Sequence, residues 1–151
     1  MPRLPDLVEV TVTASGQPVA GLMVRVGIGV TKKSGFRSLH GPSTPDGRIL
    51  VTRDALLREA ERDLSFGLMD HGNPEADGSG ELFVIPADRD DIAREIEGYE
   101  RTRKCASFPP GYSEVLAQTA ETLRRLGSVR IDAAVKSVGG EVDVQGGFTR
   151  L

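Results

Sequence analysis

A mainly β fold, an antiparallel sandwich of two sheets with helices inserted, is what the sequence predicts from three observations. Val8, Val10, Val12 and Ala14 alternate with Glu9, Thr11 and Thr13, the period of a strand with one buried and one wet face. Val129, Ile131, Ala133 and Val135 repeat that pattern near the other end of the chain. Eighteen glycines and nine prolines, with no tryptophan, favour short strands and many turns over large helical layers.

In chain order, Pro2 and Pro5 keep the first six residues out of regular structure. Ser15 to Pro18 form a turn cluster, and Leu22, Val24, Val26, Ile28 and Val30 then alternate with Met23, Arg25, Gly27 and Gly29. The two strands are expected to meet at that turn, with one apolar face requiring a second sheet. Residues 31–48 read as a long loop, closed by the turn residues Pro45, Asp46 and Gly47, before Ile49 and Val51 face one sheet. A short helix over about 53–63, with Thr52 as N-cap, follows from Ala55, Leu56, Ala60 and Leu64. Strand character returns at Leu64–Leu68 and, beyond the polar loop Asp70–Glu81, at Leu82–Ile85.

Two further helices are predicted, over about 89–104 and 113–126. Asp88 or Asp90 caps the first, whose acidic start and basic end suit the helix dipole. Ser113 is expected to cap the second, and Gly127 to stop it. Gly139 and Gly140 then supply a two-residue hairpin turn. Pairing Val138 with Glu141 sets Val135 opposite Val144 and Ile131 opposite Phe148, so that both apolar faces coincide. At 151 residues the chain is expected to form a single domain: a core over 7–87, a helical insertion over 88–127 and a C-terminal hairpin over 128–151 that completes the sheet.

A formal charge of -3 offers no global basic field, which makes nucleic acid an unexpected partner. Cys105 is the sole cysteine, so no internal disulfide or cysteine-pair metal site is expected. No apolar leader or transmembrane run is evident, and the cytoplasm is the expected location.

Gly16, Pro18, Val19, Gly21, Val24 and Val26, followed by Thr44, Asp46, Gly47 and Arg48, resemble the G-x-P-V-x-G-x-x-V-x-V … T-x-D-G-R pattern of transthyretin-like (prealbumin-like) domains, the carboxypeptidase regulatory-like domains among them. The resemblance covers the first third of the chain. It implies a seven- or eight-stranded sandwich that binds, spaces or stabilises rather than catalyses. The hydrolase branch of that group ends in Tyr-Arg-Gly-Ser, whereas this chain ends Phe148, Thr149, Arg150, Leu151.

The candidate site is therefore a binding surface on the long loop. Lys32, Lys33, Phe36 and Arg37, with His40 beside them, join cations to an aromatic ring, the residue types that anchor interfaces. The expected function is a non-catalytic protein-binding or assembly module whose partner is another protein, with self-association left open and no cofactor. The alternative is a small hydrolase or metal-dependent enzyme built on His40 and His71. Asn73, Glu75, Asp77 and Gly78 fit part of a calcium loop, but Val84 stands where the bidentate glutamate belongs, and no metal is expected.

Overall fold

Alternating burial organises the larger sheet. In β1 (Leu7–Ala14) the side chains of Val8, Val10, Val12 and Ala14 are buried, while Leu7, Glu9, Thr11 and Thr13 face outward. Full burial of each of these valines is worth about 1.5–3 kcal/mol, which makes β1 the spine of the core. The computed structural model describes residues 4–28, 39–56, 81–104 and 108–151.

Along one side of β1 run β2 (Gln17–Pro18) and β5 (Arg48–Thr52), both antiparallel to it. Along the other runs β7 (Arg130–Val138), in an eight-rung antiparallel ladder from Leu7 opposite Val138 to Ala14 opposite Ile131. Inward pairs such as Val10 with Ile49 and with Val135 interlock across it. β9 (Phe148–Arg150) lies antiparallel to β7 and completes the sheet. Ser15 and Gly16 both adopt positive φ between β1 and β2, the geometry of a tight hairpin turn.

The smaller sheet runs β4 (Leu39–His40), β3 (Val24–Ile28), β6 (Glu81–Pro86), β8 (Asp143–Gly146). Val24, Val26, Leu82 and Val84 join Val8, Val10 and Val12 in one hydrophobic cluster, so the two sheets share a core. The fold is mainly β, as expected, but two strand placements differ. β3 does not pair with β1; residues 19–23 carry the chain to the other sheet, where β3 pairs with β4 and β6. β8 does not form a hairpin with β7 either, and instead lies parallel to β6, so the strand set is not purely antiparallel.

Gly147 hands the last strand from one sheet to the other. Its N–H donates to the Val84 carbonyl of β6 at 2.8 Å, and its carbonyl accepts from the Ala133 N–H of β7 at 2.9 Å. In β9, Phe148 then stands opposite Asp132 and not Ile131, one residue away from the register that a continuous hairpin requires.

Helical structure begins at residues 53–56, with the Ala55 N–H donating to Thr52 Oγ1 as an N-cap requires. α1 (Arg89–Thr102) starts from an Asp88 capping box, in which Asp91 N–H donates to the Asp88 carboxylate and Asp91 accepts from Asp88 N–H. α2 (Tyr112–Leu126) starts at Gly111 without a side-chain cap, so Ser113 is not its cap: the helix begins one residue earlier, and Ser113 Oγ points to Glu114. Ile92, Leu116 and Leu123 carry the helix pair into the core. Arg89 donates to the carbonyls of Leu123 and Gly127, satisfying the end of α2. The pair closes the end of the fold where β3 and β7 begin and β6 finishes.

Thr44, Asp46, Gly47 and Arg48 form a tight turn tied to β1 and β2. Gly47 has φ +75°, its carbonyl accepts from Val12 N–H, and a Cβ there would lie 2.4 Å from the Val12 oxygen. Gly47→Ala is expected to lower stability by about 2 kcal/mol, read from urea unfolding, because both the positive φ and the contact oppose a side chain.

Candidate functional site

Residues directly opposite one another in an antiparallel ladder share a face, which assembles the outer surface of the larger sheet from its registers. One row runs Thr52, Leu7, Val138, the next Leu50, Glu9, Lys136, and the next Arg48, Thr11, Ala134. Below them come Thr13, Asp132, Phe148, and then Arg130 opposite Arg150. Small side chains, Thr11, Ala134 and Thr13, occupy the middle of the face. Large ones stand at the margins.

Among the described residues, the large hydrophobics that are exposed are Leu50 (58 %), Val138 (46 %) and Phe148 (49 %), and all three lie on this face. β5 projects Leu50 outward because Ile49 and Val51, on the opposite parity, are drawn into the core. Phe148 is held between cations. The Arg130 guanidinium stacks 3.9 Å from its ring centroid and that of Arg150 lies 5.9 Å away, while Arg130 also donates to Asp132 at 2.9 Å. Across the sheet, Arg48 pairs with Glu9 at 3.2 Å.

Among the described residues, one cleft lies away from this face and another borders it. The larger, about 590 Å³, runs between α2 and the segments around Gly21 and Ser43. Its Ser43 hydroxyl is engaged, donating to the Val19 carbonyl and accepting from Leu22 N–H, which rules it out as a poised nucleophile. Thr119 Oγ1 is buried without a hydrogen-bond partner among the described residues. On the rim, the hydrogen bond from Arg124 holds the exposed Glu121 carboxyl below the usual carboxylate range. The second cleft, about 430 Å³, borders β5 between Pro42 and Leu50. Among the described residues, His40 lines neither of them.

Of the residues predicted for the site, Lys32, Lys33, Phe36 and Arg37 lie outside the described residues, as do His71, Cys105 and all of the polar loop Asp70–Glu81 but its last residue, with the calcium-like Asn73, Glu75, Asp77 and Gly78. His40 is half-buried in β4, laddered to Val24, with its Nε2 shielded from solvent. The closing part of the predicted loop is stitched down: Gly21 N–H donates to the Ser43 carbonyl and Ser43 N–H to that of Leu22. Sequence reasoning missed Leu50 and Phe148 as surface residues. Leu50 had a signal, since it interrupts the Ile49 and Val51 alternation. Among the described residues there is no group of three or more His, Cys, Asp or Glu that could hold a metal ion, and no helix long and apolar enough to cross a membrane. Compared with known proteins, the chain matches no family model, no curated protein and no solved structure.

Proposed function

We propose that the chain is a non-catalytic protein-binding module, with a transthyretin-like sandwich as its scaffold, that docks another protein on the outer face of its larger sheet. The observation that carries this reading is the gathering of Leu50, Val138 and Phe148, the exposed large hydrophobics among the described residues, on one face of the larger sheet. Exposed apolar residues scattered singly need no explanation, but three on one sheet face, each beside a cation or a small residue, have the make-up of an interface. The scaffold reading is supported by the way the motif residues meet: Gly47 lies against Pro18, and Arg48 N–H donates to Thr44 Oγ1.

Hydroxyl-radical footprinting of the purified chain, alone and in extract of its native host, tests the reading. Leu50, Val138 and Phe148 are expected to lose reactivity in extract, while Tyr99 and Tyr112 keep theirs. Leu50→Ser with Phe148→Ser is expected to abolish that protection while costing under about 1 kcal/mol of stability, as exposed substitutions do. Protection confined to the α2 cleft would overturn the assignment.

A further inference from the structure

We infer that the docking face takes an acidic, partly apolar segment of a partner protein, an inference that rests on the protein-binding reading above. On the outward-facing strand positions stand the cations Arg48, Arg130, Lys136 and Arg150 against the carboxylates Glu9 and Asp132. Both carboxylates are engaged by cations of the same face, Glu9 by Arg48 and Asp132 by Arg130. Lys136 and Arg150 are left with their charge turned to solvent. The surplus is positive on a chain whose formal charge is -3, so the field over this face is opposite in sign to that of the molecule as a whole. Such a contrast steers an acidic partner to one face and sets its orientation on arrival.

Apolar anchors flank those charges. Phe148 is fixed by Arg130 on its ring, which cuts the entropy lost when it is covered. Leu50 sits on the row of Lys136, two strands away, with Glu9 between them, so a segment crossing the sheet would meet an apolar side chain, a carboxylate already paired with Arg48, and then a cation. Single-stranded nucleic acid fits less well. The ring that a base would stack on is already covered by a guanidinium at 3.9 Å, and Glu9 and Asp132 stand among the cations. A second copy of the chain fits less well again, because an isologous contact sets the same cations against themselves.

The test uses the full chain and three labelled probes: a short peptide of alternating Glu and Leu, its Lys and Leu counterpart, and an oligothymidylate, each titrated by fluorescence anisotropy at low and at physiological salt. The Glu and Leu peptide is expected to bind saturably and to weaken as salt rises. Lys136→Glu with Arg150→Glu is expected to weaken it roughly tenfold or more. Lys136→Arg with Arg150→Lys is expected to retain it, and circular dichroism should show both variants folded. Absence of saturable binding, or binding indifferent to the charge reversal, overturns the inference; if the host-extract footprint still falls on Leu50 and Phe148, the protein-binding reading stands without it. Tighter binding of the oligothymidylate overturns it in favour of nucleic acid. A dimer in sedimentation that Phe148→Ser dissociates overturns it in favour of a second copy.

Discussion

Gly146→Ala is expected to destabilise the chain by about 3 kcal/mol, the upper range for forcing atoms into a packed site. A Cβ at residue 146 would lie 1.8 Å from the carbonyl oxygen of Ala133, and that oxygen belongs to the backbone of β7, which is fixed on its far side by β1. No rotamer relieves a contact between a Cβ and a main chain, so the last strand must move off β7. That movement pulls on Gly147, whose two hydrogen bonds join the sheets. Gly147→Ala is the control: its Cβ meets the flexible Ile85 side chain at 3.3 Å and should cost under about 1 kcal/mol. Gly98→Ala, with open space around it on α1, should be neutral or stabilising by up to about 1 kcal/mol. Urea unfolding of the three variants checks the order. Equal losses at Gly146 and Gly147 would show that the crossing does not depend on this close approach.

That crossing also marks where the sequence stops specifying the fold. The alternation in β1, β5 and the first half of β7 names the inward residues correctly, because each of these strands has one wet face and one buried face. Alternation does not say which sheet a strand joins. Leu22 to Ile28 reads the same whether β3 pairs with β1 or faces it across the core, and the deciding feature is the crossing over residues 19–23, held by Ser43. At the C-terminus Gly139 and Gly140, both at positive φ, do redirect the chain, but not into the expected hairpin, because the strand that follows joins β6 in the other sheet. Counting residues from that turn assumes an unbroken strand, however, and Gly146–Gly147 breaks it.

The consequence for the candidate site is direct. A register change of one residue moves a side chain to the opposite face of a sheet. Phe148, counted as a partner of Ile131 in the core, stands opposite Asp132 on the solvent face instead, half exposed under Arg130. The residue that anchors the proposed interface was thus hidden by the same glycine pair that lets the strand change sheets. His40 was legible only as a type. Its strand pairing to Val24 depends on a partner sixteen residues away, which no local pattern encodes.

Asp91→Ala is expected to cost about 2–3 kcal/mol at neutral pH, read from thermal or urea unfolding. Asp91 is 7 % exposed, and it links three things: its carboxylate meets Arg25 Nε of β3 at 3.1 Å, Arg94 at 2.8 Å, and the Asp88 N–H of the capping box at 2.9 Å. Removing one partner of a buried ion pair costs more than the pair itself contributes, because the other charge stays behind in a place that no longer compensates it. Arg25 is about a quarter exposed and Arg94 largely so, which lowers the figure from the fully buried range. The capping bond adds its share, typically near 1 kcal/mol. Asp91→Asn keeps the shape and one acceptor for the Asp88 N–H, so it should lose less. Its pH dependence is diagnostic. Burial pushes the Asp91 carboxyl above the ordinary 3.8, against the pull of the Asp88 N–H and of Arg25. The folded chain therefore holds this proton more tightly than the unfolded chain, and the group's contribution to stability is full below 3.8 and falls as pH rises through the folded value. The margin of wild type over Asp91→Asn should accordingly narrow from acid toward neutral pH. A margin that widens over the same range would mean that Arg25 and Arg94 outweigh burial, and that the link between β3 and α1 is chiefly electrostatic.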